Sequence, residues 1–184
     1  MIDSQSSASY LYEKSKVYQS KETYPNTTFG KDLKQIAELI TADTDTRIYY
    51  VSLTGFDTHA NQKNQQERLL KQYAEGMKAL VNDLKRNKLF KDTLILTFSE
   101  FGRRVKQNAS RGTDHGTANN LFLIGDQLRK PGFYNTAPDL KNLDNGDLIY
   151  QVDFRNIYAS ILENWLGTSQ QSILGQSFDP LKIV

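Results

Sequence analysis

The chain contains two histidines, His59 and His115, and each lies beside a carboxylate in a loop rich in Gly, Asp and Asn. Asp57 precedes His59 by two residues, so in an extended backbone both side chains leave on the same side and can reach one cation. Asp114 is adjacent to His115, and flanking glycines allow that loop to turn both side chains toward neighbouring positions. Carboxylate oxygens with imidazole nitrogens predict a divalent metal site, zinc first, with manganese or iron as alternatives.

Each of these candidate residues also has an ordinary structural interpretation. An isolated Asp-x-His sequence in a loop is typical of capping and turn formation. Glu100 is a further candidate for the site, but a solvated carboxylate or an ion pair with Arg103 or Arg104 explains it nearly as well. The two arginines could bind phosphate or sulfate through paired hydrogen bonds, although exposed loop arginines are frequent. Asn61 and Asn119 could orient ligands or bind substrate oxygens, but a role in turn formation explains them nearly as well.

Buried strands are expected to position the candidate ligands. Residues 47–53 and 93–98 are β-branched and aromatic without strict alternation, as in strands covered on both faces. The intervening apolar stripe over 65–85 predicts a long amphipathic helix, which makes a βαβ unit with parallel strands. Because ligands bind at the carboxyl ends of parallel strands, residues following the two strands should converge on one rim. A short apolar run at 121–125 is a possible third strand.

The remaining segments complete an α/β prediction. Spacing of apolar residues predicts helices over 31–40, capped by Thr28, and over 154–165, ended by Gly167. Residues 1–27 form a polar arm without a clear period. We therefore expect a single α/β domain over 28–184, with a mostly parallel sheet flanked by helices.

Composition narrows the class of protein. The 184 residues include no cysteine, which excludes thiolate nucleophiles, cysteine zinc sites and disulfides. A net charge of +2 lacks the basic bias of most nucleic-acid-binding proteins, so no nucleic-acid partner is expected. No apolar run is long enough for a membrane span, and the N-terminus lacks the apolar core of a signal peptide. Phosphate-binding glycine motifs are missing, and Ser99 lacks the G-x-S-x-G context of a serine nucleophile.

Four motifs occur in a familiar order: GFDTHANQ at 55–62, TFSEFGRR at 97–104, GTDHGTAN at 112–119 and VDFRNIYASILENWLG at 152–167. In this order they resemble the C-terminal half of bacterial proteins grouped as domain of unknown function 1501. That family is similar to the sulfatase and alkaline phosphatase superfamily. The resemblance covers most of the chain from about residue 30 to 184.

The resemblance implies the C-terminal portion of an alkaline-phosphatase-like fold that removes phosphate or sulfate groups. It implies that Asp57, His59 and His115 bind one metal ion, and that Glu100, with Asp114, serves a second. The same resemblance makes Arg103 the anion-binding residue and, with Glu100, a catalytic candidate. The superfamily's nucleophile and an early metal-binding Asp lie in the N-terminal half, so we expect this chain to hold part of a site. At 99–101 the sequence reads Ser-Glu-Phe where the superfamily has an Asp-His pair.

The functional expectation is a metal-dependent hydrolase-like protein whose partner is an anionic small-molecule or polymer ester. Family resemblance further implies a periplasmic or extracytoplasmic location. A non-catalytic binding or scaffold protein that retains the fold is the first alternative. A metal-independent serine hydrolase that uses Ser99 is the second alternative.

Overall fold

The computed structural model describes residues 2–184, with side chains from residue 6 onward. Met1 and the first side chains of the predicted arm lie outside this description. The chain divides into two compact units. The first comprises Met1–Thr93 and Ser110–Gly112, and the second comprises Leu94–Ala109 and Thr113–Val184.

The first unit is helical. Its elements are α1 (Ile2–Ser15), α2 (Thr28–Thr41), α3 (Gln62–Arg86) and a 3-10 turn at Phe90–Asp92. Helix α2 begins after Thr27, whose hydroxyl accepts a hydrogen bond from the Gly30 backbone N–H at 3.1 Å. The predicted cap, Thr28, is instead the first helical residue.

Helices α2 and α3 pack through the apolar stripes that the sequence predicts. Leu33 of α2 and Leu80 and Leu84 of α3 are buried in the core of this unit. Gly76, an apparent weak point of α3, lies where the helices approach, because a Cβ there would be 2.8 Å from Leu33 Cδ1. Glycine lowers the helix propensity of this position, but it allows the two helices to pack closely.

A buried carboxylate attaches residues 18–24 to α3. Asp83 is 1% exposed and accepts hydrogen bonds from the hydroxyls of Tyr18 at 2.8 Å, Tyr24 at 3.1 Å and Ser20. Burial, together with the charge of Asp83, raises the pKa of Tyr24 well above its usual range. These hydroxyls satisfy a carboxylate that would otherwise be costly to bury.

The second unit combines short strand pairs with short helices. Its strands are β1 (Ile95–Thr97), β2 (Gly102–Arg103), β3 (His115–Gly116), β4 (Phe122–Ile124), β5 (Leu143–Asp144) and β6 (Asp147–Leu148). Its helices are α4 (Phe154–Ser160), continued by a π-helical turn at Ile161–Trp165, and α5 (Gln170–Leu174). All three strand pairs, β1 with β4, β2 with β3 and β5 with β6, are antiparallel.

Buried polar side chains hold the C-terminal segment in place. Ser160 is fully buried, and its hydroxyl accepts a hydrogen bond from the Leu181 backbone N–H at 2.6 Å. The Gln170 side chain accepts from the Phe178 N–H at 2.7 Å and donates to the Phe178 carbonyl at 3.1 Å. The backbones of Phe178 and Leu181 thus obtain from side chains the partners that a sheet would otherwise supply.

The predicted mostly parallel sheet flanked by helices, with its alkaline-phosphatase-like architecture, is wrong. Residues 47–53, expected to be a buried strand, join no ladder within the described part of the chain, and Ile48 is 71% exposed. The predicted second strand at 93–98 does contain β1, but β1 pairs antiparallel with β4. An apolar run predicts a buried strand, but it does not specify which strand it pairs with or in which direction. The predicted parallel βαβ unit therefore did not follow from the two runs.

Among residues 2–184, no helix is both long and apolar enough to cross a bilayer.

Candidate functional site

Asp57 and His59 lie together in the first unit, on the loop that precedes α3. Asp57 Oδ1 is 3.1 Å from His59 Nε2, and the two side chains are 65% and 52% exposed respectively. Thr58 between them is 3% exposed. This alternation places the carboxylate and the imidazole on the solvent side, as the two-residue spacing predicts.

Two glutamines near the start of α3 hold the loop at residues 55–60, here called the Asp57–His59 loop. The Gln65 side-chain amide donates to the Gly55 carbonyl at 2.7 Å. The Gln66 amide donates to the Thr58 hydroxyl oxygen at 3.2 Å. These two hydrogen bonds attach the loop to a 25-residue helix.

Residues 110–112 form the other support of this loop. The backbone N–H groups of Asn61 and Gln62 donate to the carbonyls of Ser110 and Arg111, at 3.2 and 3.3 Å. At Gly112, a Cβ would lie 2.4 Å from the carbonyl carbon and oxygen of His59. Only glycine permits this approach, which is a structural role for the first glycine of the GTDHG sequence.

In the second unit, His115 lies in a short strand pair with Arg103. The two residues are cross-strand partners in β3 and β2. The His115 ring stacks on Phe101, with centroids 3.9 Å apart and planes 8° from parallel. The Arg103 guanidinium lies 5.0 Å from the same Phe101 ring and donates to the Thr113 carbonyl at 2.5 Å. Phe101 thus contacts two predicted site residues.

The other predicted site residues of the second unit are exposed at the surface. Glu100 follows β1 directly, and Asp114 precedes β3. The Asp114 carboxylate accepts a hydrogen bond from the Asn108 amide at 3.4 Å. Arg104, considered above as a partner of Glu100, forms an ion pair with Asp147 at 3.3 Å.

Two asparagines singled out in the sequence have backbone roles in the structure. Asn61 precedes α3 in a left-handed conformation, with φ of 46°. The Asn119 amide donates to the Phe101 carbonyl at 2.7 Å. Turn and loop chemistry therefore accounts for the contacts described for both residues.

The structure assigns the five predicted metal ligands to different units. Asp57 and His59 belong to the first unit and form a pair there, whereas Glu100, Asp114 and His115 belong to the second. Sequence reasoning missed the contributions of Gln66, Gly112 and Phe101. Phe101 lies in the TFSEFG motif and Gly112 in the GTDHG motif, so the motifs could have indicated both residues. Gln66 is one of several glutamines in α3, and no motif distinguishes it.

The fold and site define a two-unit chain with an exposed carboxylate–imidazole pair beside a long helix. The sequence matches the family model described as "Protein of unknown function (DUF1501)" over residues 8–178, and the chain belongs to this family. Neither a curated protein nor a solved structure gives a significant match.

Proposed function

We propose that the chain binds a divalent metal ion through Asp57 and His59 and takes part in hydrolysis of phosphate or sulfate esters. The observation that carries this proposal is the 3.1 Å approach of an exposed carboxylate to an exposed imidazole. This donor set suits zinc, manganese or iron, and its exposure leaves room for water and substrate oxygens in the coordination sphere. A bound ion of this kind polarises ester oxygens and acidifies bound water.

The proposal retains Glu100, Asp114 and His115 as further metal ligands predicted from the sequence, with Glu100 also as a catalytic candidate. All three are exposed side chains of oxygen or nitrogen type. All three belong to the second unit, whereas Asp57 and His59 belong to the first. Each of the three is therefore tested by its own substitution.

Arg103 is the proposed anion-binding residue. Its guanidinium is oriented by the Thr113 carbonyl and the Phe101 ring, which reduces the conformational entropy lost when an anion binds. Arg103→Ala should weaken sulfate or phosphate binding by a factor of about 10 to 100, since a hydrogen bond to a charged group contributes roughly 1.5–3 kcal/mol.

Calorimetric titration with sulfate tests the role of Arg103. Arg155→Ala is the control, because that arginine is engaged by Asp153 at 2.6 Å. Equal sulfate affinity in Arg103→Ala and the parent would remove Arg103 from the proposal.

Relation to the sulfatase and alkaline phosphatase superfamily, and a periplasmic or extracytoplasmic location, are parts of the same proposal. Both follow from the family resemblance, which the DTH, SEFGR and TDHG motifs carry. An anionic ester is the corresponding substrate class.

Metal content is the primary test. The parent, stripped with chelator and reloaded with zinc, manganese or iron, should retain near-stoichiometric metal by plasma mass spectrometry. Asp57→Asn keeps the side-chain shape, removes the charge and should lose the ion. Asp45→Asn changes another exposed carboxylate of the first unit and should retain it. A metal-free parent, or equal metal in Asp57→Asn and the parent, would contradict the proposal.

Hydrolysis is tested on the metal-loaded chain with nitrophenyl phosphate and nitrophenyl sulfate. We expect turnover of at least one ester and its loss in chelator. Metal binding without turnover would favour a binding or scaffold protein. Turnover that persists in chelator but disappears in Ser99→Ala would favour a serine hydrolase.

A further inference from the structure

We infer that Gln66 is a positioning residue for Asp57 and His59, and that it acts through the hydroxyl of the buried Thr58. This inference rests on the proposed metal-binding role of Asp57 and His59. Gln66 is not itself a proposed metal ligand. Its role is to fix Thr58, which lies between the two proposed ligands.

Thr58 is the point at which the Asp57–His59 loop is anchored. Its hydroxyl oxygen accepts from Gln66 at 3.2 Å, and the same hydroxyl donates to the Phe56 carbonyl at 3.4 Å. Its backbone N–H also donates to the Phe56 carbonyl at 2.9 Å. The buried side chain thus has both a donor and an acceptor role satisfied, which defines its orientation.

Rotation of Thr58 would change the directions of both neighbouring side chains. Asp57 and His59 are exposed whereas Thr58 between them is buried, so we expect a fixed Thr58 to keep the donor atoms of its two neighbours on the solvent side. Gln66 supplies this constraint from a helix whose next turn contributes the buried Leu69 to the core. A site held by a packed helix is better preorganised than one on an unsupported loop.

The same helix contains a matched hydrogen bond elsewhere in the unit. Gln72 donates its amide to the Thr27 hydroxyl at 3.0 Å. Both glutamines are half-buried and both contact a threonine. Thr27 caps α2, however, whereas Thr58 lies between the proposed ligands. Comparing the two bonds separates a local effect on the site from a general effect on α3.

The experiment compares Gln66→Leu with Gln72→Leu by zinc titration and thermal melting. Gln66→Leu should weaken zinc binding about tenfold, at the low end of losses found for partners that support metal ligands. Gln72→Leu should bind zinc within about twofold of the parent. Equal zinc affinity in Gln66→Leu and the parent, or an equal loss in Gln72→Leu, would overturn the inference.

Variants of the threonine complete the test. Thr58→Val keeps the shape but removes the hydroxyl, so it should reproduce the loss, and combining it with Gln66→Leu should add little. Thr58→Ser keeps the hydroxyl and should bind zinc nearly as the parent does. Full additivity of the two losses would show that Gln66 does not act through Thr58.

A metal-free measurement distinguishes failure of the inference from failure of the proposed function. The chain has two histidines, so NMR spectra contain two imidazole ring environments to assign. Gln66→Leu should shift or broaden the His59 ring signals in metal-free protein, and Gln72→Leu should leave them unchanged. Unchanged His59 signals in Gln66→Leu would overturn positioning, whereas a parent that binds no zinc would contradict the metal-binding proposal alone.

Discussion

His59 and His115 occur in similar sequences, DTH and TDH, yet their surroundings differ in kind. His59 lies 3.1 Å from a carboxylate, on a loop tied to α3 by side-chain amides. His115 lies in a two-residue strand, with its ring stacked on Phe101 and Arg103 as its cross-strand partner. The first environment places a carboxylate beside the imidazole, whereas the second places an aromatic ring on its face and an arginine on the paired strand.

The spacing of the carboxylate explains this difference. Asp57 is two residues from His59, and the intervening side chain is buried, so both polar groups emerge on one face. Asp114 is adjacent to His115, so the two side chains leave an extended backbone on opposite sides, and the Asp114 carboxylate accepts from Asn108. A two-residue spacing therefore predicts two polar groups on one face, whereas adjacency does not.

The largest expected effect comes from exchanging each histidine for alanine. His59→Ala should lower zinc affinity by more than about 100-fold, beyond the losses typical of a supporting partner, because a ligand is removed. His115→Ala should lower it less. Both rings are exposed, so circular dichroism should show folded protein in each case. Equal zinc losses would break the comparison and make His115 an equivalent ligand.

Gly112→Ala should perturb the Asp57–His59 loop directly. Its Cβ would collide with the His59 backbone, which must move, so we expect about tenfold weaker zinc binding and roughly 1–3 kcal/mol lower stability. Gly175→Ala is the control, since its φ is 76° but nothing lies within 4 Å of the added carbon. It should cost about 1 kcal/mol through backbone strain and leave zinc binding unchanged. Urea denaturation and zinc titration measure both effects.

Phe101→Leu should act on the other histidine. Loss of the stacked ring should lower the free energy of unfolding by about 1 kcal/mol. The His115 ring resonances should also shift, because the neighbouring ring current disappears. Unshifted His115 resonances would show that the stacking does not persist in solution.

The smallest effect concerns an ion pair at the start of α4. The Arg155 side chain donates to Asp153 and holds the pKa of that carboxyl below its usual value. Because the folded pKa is lowered, this contribution to stability is present above the ordinary Asp pKa and is lost as pH falls through the lowered value. Arg155→Ala should be less stable than the parent at neutral pH, and the difference should narrow on acidification. A pH-independent difference in urea midpoint would contradict this.

Helices α2, α3 and α4 were predictable because their signal is local. Leu33, Ala37, Leu69 and Leu84 recur at helical spacing, and all four are buried in α2 or α3 as that period requires. Phe154 likewise begins the predicted last helix, although the structure continues from Ile161 as a π-helical turn.

Strand pairing was not predictable from the same kind of pattern. Residues 95–97 and 122–124 have the composition of strands, but only the register, in which Ile95 faces Ile124 and Thr97 faces Phe122, reveals that they pair antiparallel. The run at 47–53 has the same composition and no ladder within the described chain. Hydrogen bonds between strands join residues far apart in sequence, so composition cannot specify them.

The sequence alone determined which residues could do chemistry and where helices α2, α3 and α4 form, because residue type and 3.6-residue periodicity are properties of the local chain. It also determined family membership, because the family model matches residues 8–178. Tertiary structure alone decided that Gln66 supports Thr58, that Gly112 adjoins His59 and that Phe101 stacks on His115. These contacts depend on how separate segments pack, and packing is set by the whole core rather than by any short stretch of sequence.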